Sequence, residues 1–85
     1  MKTIRIYTTS YCPYCTAAKS LLRAENLSFE EIDASDVKTR HMLVTLTGRR
    51  TVPQIFFGDE SIGGFDELNR LKQSGALYSA LSKIS

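Results

Sequence analysis

The sequence predicts an α/β fold, a four-stranded mixed sheet flanked by helices in the order β-α-β-α-β-β-α. Three observations carry that expectation. Short runs of β-branched and aromatic residues alternate with stretches whose apolar residues recur at helical spacing. A strand–helix–strand unit opens the chain, and such units close right-handed onto a parallel strand pair. Further on, Gly58-Asp59 separates two short strand-like runs and reads as the turn of a hairpin, which adds antiparallel strands.

The first strand falls at residues 3–7, where Ile4 and Ile6 alternate with Arg5. Pro13 suits the first position of a helix, because its missing N–H has no partner there in any residue. Ala17, Ala18, Leu21 and Leu22 share one face of that helix, and Asn26 is its stop signal. Residues 27–33 read as a second strand with weak alternation. Ser35 or Asp36 caps a second helix that runs to Gly48, with Val37, Leu43 and Val44 inward and Met42 and Leu46 off that face. Val52 is extended because it precedes Pro53. Residues 54–57 form the third strand, Ser61-Ile62 is the return strand, and Gly63-Gly64 breaks the chain. Residues 65–74 are helical, with Leu68 and Leu71 inward and Gly75 as the stop; Leu77, Leu81 and Ile84 continue in a short last helix. This order is the thioredoxin-like arrangement, in one domain over residues 1–85.

A core of 85 residues leaves a small stability margin, and chains of this size often carry disulfide staples. The two cysteines here are three positions apart, a loop too short to staple the fold. With 42% hydrophobic and 24% charged residues the chain reads as an ordinary soluble domain. A net charge of +2 with scattered basic residues lacks the basic stripe of a nucleic-acid binder. Arg49-Arg50 reads equally as a solvated turn or an anion contact. Neither a signal-type apolar region at the N-terminus nor a stretch of ~18 apolar residues is visible, so the expected location is cytoplasmic, away from membranes. Thiols are kept reduced there, and a cysteine pair is redox-active or metal-binding.

In disulfide exchange the attacking species is the thiolate, so a reactive site must stabilise negative sulfur. A helix N-terminus does so with its free N–H groups and the positive end of its dipole. Cys12 precedes Pro13, at the N-cap, where its sulfur is within reach of the N–H groups of Tyr14 and Cys15. Cys15 lies one turn into the helix, more buried and less ionised. Cys12 is therefore the expected nucleophile and Cys15 the group that resolves the mixed disulfide. Tyr14 offers a flat wall to an incoming substrate. The competing zinc reading needs two further ligands. His41 is the obvious candidate, and its place in the second helix suggests a surface histidine.

Two more segments carry site-like features. Thr51-Val52-Pro53 precedes a strand and reads equally as a stiff turn or, with a cis proline, as a bend that presents the backbone of Val52 to an extended peptide. Gly63-Gly64-Phe65-Asp66 is a strand-to-helix turn with Asp66 as the cap. The same geometry makes an anion site: the glycines let a ligand approach, and the N–H groups of Phe65 and Asp66 open a helix. With the Asp66 carboxylate available to an ammonium, the segment suits an α-amino acid head group.

Together, Cys12-Pro13-Tyr14-Cys15, Thr51-Val52-Pro53-Gln54-Ile55-Phe56 and Gly63-Gly64-Phe65-Asp66-Glu67-Leu68 give the chain its resemblance to the glutaredoxins, nearly end to end and of the dithiol class. The resemblance implies a glutathione-dependent thiol–disulfide oxidoreductase that reduces protein disulfides and glutathione mixed disulfides. It implies no metal, monomeric action, and disulfide-containing or glutathionylated proteins as partners. It assigns the γ-glutamyl head to Gly64, Phe65 and Asp66, the cysteinyl backbone to Val52 beside Thr51 and Pro53, and the flank of the sulfur to Tyr14. Arg40 matches a helix position where the family often contacts a carboxylate. The chain departs from the pattern at Thr9, where many members have lysine, and at Phe65, where many have cysteine. Two related activities compete: a redoxin reduced by thioredoxin reductase, and a carrier of an iron–sulfur cluster ligated by glutathione, against which Pro13 counts. A pure binding module with an incidental cysteine pair is the third.

Overall fold

The computed structural model describes residues 2–82, so the expected inward position of Ile84 lies outside the described residues. The chain runs through β1 (Ile4–Thr8), α1 (Pro13–Ala24), β2 (Glu30–Asp33), α2 (Val37–Thr47), β3 (Gln54–Phe57), β4 (Glu60–Gly63), α3 (Phe65–Gln73) and α4 (Leu77–Ser82). The sheet order is β2-β1-β3-β4. β1 and β2 are parallel, joined by the α1 crossover, while β3 runs antiparallel to both β1 and β4. This is the mixed four-stranded sheet that the sequence predicts, with α4 as an added closing helix.

Strand periodicity sorts the side chains into two layers. Ile4 and Ile6 of β1 and Ile55 and Phe57 of β3 point to one face and pack with Ala18, Leu21 and Leu22 of α1, Leu68 of α3, and Leu77 and Leu81 of α4. On the opposite face Tyr7 and Phe56 meet Leu43 of α2 and Ala34. Their rings meet edge to face, with centroids 5.7 Å apart. Because both faces are covered, all four residues of β3 are buried.

Helix ends follow local chemistry. Asn26 adopts φ 58, the left-handed cap conformation. The N–H of Leu27 then donates to the carbonyl of Leu22 at 2.9 Å, closing the end of α1. That bond draws Leu27 back into the core, which is why the second strand begins at Glu30 and not at residue 27. The Asp36 carboxylate accepts from the N–H of Thr39 at 3.0 Å and caps α2, and Gly48 ends it at φ 73. Val37 corrects an expectation: it is 83% exposed. It stands seven residues before the half-buried Val44, on the flank of the helix, and only Leu43 points squarely at the sheet. Met42 and Leu46 are exposed, as their spacing predicts.

The division of the core gives a direct test. Replacing Leu22, fully buried between α1 and the sheet, by alanine is expected to lower the unfolding free energy by about 2–5 kcal/mol. Met42→Ala, on the outer side of α2, is expected to change it by less than about 0.5 kcal/mol. Urea titrations of the two variants measure both.

Candidate active site

Three chain segments meet at the end of the sheet where β1 finishes. Cys12 is the N-cap of α1, in extended conformation, and its Sγ accepts the backbone N–H of Cys15 at 3.1 Å. The N–H of Tyr14 makes no such bond. Opposite lies the loop before β3, in which the Val52–Pro53 peptide is cis. The Cys12 thiol donates to the carbonyl of Val52 at 3.5 Å. The third segment is the start of α3. The two thiols are free.

They differ in environment. Cys12 is half-buried and faces the groove, whereas Cys15 is only 1% exposed. Burial, and then the hydrogen bond and charge of Cys12, push the Cys15 thiol up to about 12; the backbone N–H of Thr9 and the ammonium of Lys19 act in the other direction. Cys15 is therefore a protonated thiol near neutrality. Of the two sulfurs, the one at the helix cap is the more accessible.

A shallow hollow of about 220 Å³ runs beside Cys12, lined by Tyr14, Thr51, Val52, Pro53, Gly64, Phe65 and Asp66, together with Arg49 and Glu67. Seven of the eight residues expected around a bound glutathione thus line one groove. Arg40 does not join them: it lines a separate hollow on the outer side of α2, with Val37, His41, Val44 and Arg50. His41 is exposed there, and among the described residues no cluster of three or more His, Cys, Asp or Glu is arranged to hold a metal ion.

Each wall of the groove is held from behind. Gln54 is fully buried, and its amide Nε2 donates to the carbonyl of Thr51 at 2.9 Å, fixing the loop that carries Val52. Tyr14 and Phe65 face each other with ring centroids 6.4 Å apart. A Cβ on Gly64 would sit 3.3 Å from the carbonyl oxygen of Pro53, a tight contact, so the helix start and the loop approach each other closely at this glycine.

Asp66 is not the helix cap. Gly64 occupies that position and has no side chain to offer. Glu67, three residues on, reaches back so that its Oε1 accepts the N–H of Gly64 at 2.6 Å. The same oxygen accepts from Nη1 of Arg49 at 3.1 Å, which ties the loop to α3. Asp66 is left exposed at the groove and free to meet a ligand. Reading the residues alone misses Glu67 as the cap and leaves Arg49 between a solvated turn and an anion contact. The three-residue spacing from Gly64 to Glu67 is the signal that could have identified the first.

Comparison with known proteins agrees with this geometry. The glutaredoxin family model matches residues 4–62. A glutaredoxin of Neisseria meningitidis serogroup A is 44% identical over 85 residues, covering 96% of this chain and 99% of that protein. The solution structure of glutaredoxin from Brucella melitensis superposes with a TM-score of 0.86 at 41% identity, covering 100% of this chain and 96% of that one. The crystal structure of a buckwheat glutaredoxin–glutathione complex also reaches 0.86, at 27% identity, over 95% of this chain and 77% of that one.

The double role of Glu67 has a pH signature. The N–H of Gly64 and then the guanidinium of Arg49 hold its carboxyl below the usual glutamate value. A carboxylate depressed in the folded state adds stability above its unfolded value, and that stability is lost as pH falls through the folded value. Thermal melts from neutral pH into the acid range are expected to show a shallower acid decline for Glu67→Gln than for the native chain, and a lower melting temperature at neutrality.

Proposed function

The chain belongs to the glutaredoxin family and is a thiol–disulfide oxidoreductase, and we propose that its reductant is glutathione and its preferred substrates are glutathione mixed disulfides and protein disulfides. The observation that carries this reading is the groove beside Cys12: the cap sulfur touches the carbonyl of Val52, and Val52 and the start of α3 line the same hollow.

The tripeptide fits that groove by chemistry. Its γ-glutamyl end carries a carboxylate and an ammonium. The first N–H groups of α3 suit the carboxylate, and the exposed Asp66 suits the ammonium. Its cysteine backbone pairs with Val52 in extended conformation, bringing its sulfur to Cys12. Tyr14 and Phe65 shield the reacting sulfurs. Arg49 at the rim supplies a positive charge, while Arg40 lies too far along α2 to line the same groove.

The reaction follows from the difference between the thiols. Cys12 attacks a substrate disulfide and becomes one half of a new mixed disulfide, and the substrate leaves as a thiol. In the single-cysteine route, glutathione thiolate then attacks the mixed disulfide and regenerates Cys12. In the two-cysteine route, Cys15 attacks, forming the Cys12–Cys15 disulfide, which glutathione later reduces. The chain acts as a single-domain monomer in a compartment supplied with reduced glutathione, such as the cytoplasm. No helix among the described residues is long and apolar enough to cross a membrane.

Turnover of a glutathione mixed disulfide, coupled to glutathione reductase and NADPH, tests the proposal. Cys12→Ser is expected to be inactive, and Cys15→Ser to retain the single-cysteine activity. Gly64→Ala pushes a methyl toward Pro53 and narrows the groove, so KM for glutathione is expected to rise about three- to tenfold, the equivalent of about 1 kcal/mol, with a smaller change in kcat. A wild-type chain that is inert with glutathione but accepts electrons from thioredoxin reductase would sink the glutathione assignment and leave the cysteine roles standing.

A further inference from the structure

On the side of α1 that faces β2, one turn beyond Cys15, the structure holds a polar cluster outside the groove. Lys19 Nζ lies 2.8 Å from Glu31 Oε2, and the same oxygen accepts from the hydroxyl of Thr8 at 2.7 Å. Thr8 is itself buried, and the Lys19 side chain is 22% exposed. The ammonium is therefore pinned at the border of the core. The four-residue spacing of Cys15 and Lys19 puts both on one helix face.

We propose that Lys19 is a positioning residue for the resolving step, its pinned ammonium supplying the positive field in which the buried Cys15 thiol gives up its proton and attacks the mixed disulfide on Cys12. The inference rests on the two-cysteine route proposed above. In that step Cys12–S–S–R and the Cys15 thiol become the Cys12–Cys15 disulfide and R–SH. The bond from Cys12 sulfur to R sulfur breaks as the Cys12–Cys15 bond forms, and the Cys15 proton ends on the leaving thiolate. Cys15 is oxidised and R is reduced, while Cys12 stays at the disulfide level and only changes its partner.

The charged groups around Cys15 single out Lys19. From its own helix Cys15 faces Cys12 and Lys19, and from the segment after β1 it faces the Thr9 backbone. β2 reaches the cluster through Glu31, which also feels the charge of Arg23 one turn further along α1. Two of the influences holding the Cys15 proton in place come from Cys12, through its hydrogen bond and its charge. Both vanish once Cys12 is in a mixed disulfide and carries no charge. Burial then remains on one side, with the N–H of Thr9 and the charge of Lys19 on the other. Glu31 divides the Lys19 charge, so the strength of the ion pair sets how much of it acts on the sulfur.

That division yields variants of opposite sign. Reduced protein is mixed with excess oxidised glutathione and quenched in acid at timed intervals. Mass spectrometry then follows the glutathione adduct and the internal disulfide, between roughly pH 6 and 9, where a buried thiol stays mostly protonated. Lys19→Gln is expected to slow conversion of adduct to internal disulfide about three- to tenfold, its rate profile moving to higher pH. Glu31→Gln is expected to speed conversion about two- to threefold, because Lys19 is no longer neutralised. Lys19→Arg, which keeps the charge, is expected to stay within about twofold. If Lys19→Gln and Glu31→Gln slow the step alike, or neither changes it, the pair is a structural tie and the proposal is wrong. A wild-type chain that forms the adduct but no internal disulfide overturns the two-cysteine route together with this inference.

Discussion

Everything at the site depends on one contact, the sulfur of Cys12 accepting the N–H of Cys15 at the open end of α1. A helix end leaves backbone donors without partners, and a sulfur with negative character satisfies one of them. The rest of the architecture brings the backbone of two further segments to that point. β1 ends at Thr8, and the chain turns there into Cys12. β3 is antiparallel to β1, with Tyr7 opposite Gln54, so the cis Val52–Pro53 peptide enters the sheet at the edge where β1 leaves it. β4 is antiparallel to β3, with Gly63 opposite Ile55, so α3 starts at that edge too. Strand register alone brings together three segments some forty and fifty residues apart in sequence.

The register also accounts for what was legible in the sequence. Apolar alternation locates β1, the apolar run after Pro53 locates β3, Pro13 marks the start of α1, Asn26, Gly48 and Gly75 the ends of helices, and the three motifs seven of the groove residues. These are local signals, written in side-chain chemistry over a few positions. The misses have a different cause. Leu27 was read as strand because it is apolar, but a hydrogen bond to Leu22 spends it on a helix end. Val37 reads as inward because it shares a helical side with Leu43 and Val44, although α2 buries only Leu43. Asp66 looked like a cap by type, and Glu67 supplied the capping oxygen from one turn further. Each miss depends on a partner that sequence spacing leaves open. The positions of Arg40 and Arg49 are further cases, since which of two exposed arginines reaches a groove is decided by the tilt of α2 and the path of the loop after it.

Cys15 is where stability and chemistry oppose each other. Its place one turn into α1, on the face that carries Ala18 and Leu22, puts it at the top of the main core. Packing favours a neutral, buried group there, and the same desolvation holds its proton on. Moving the cysteine toward solvent would ease ionisation but would open the end of the core beneath the nucleophile. A formal charge placed fully inside would cost more than it returns unless every donor and acceptor on it were satisfied. The border of the core is the remaining position, close enough to act on the sulfur and wet enough to keep an ammonium. Lys19 stands there, with Glu31 from the edge strand and the hydroxyl of Thr8 completing its contacts. On the proposed two-cysteine route, burial of Cys15 keeps the second thiol from competing with Cys12 for substrate, and the polar cluster behind it sets how readily that thiol is released when its turn comes.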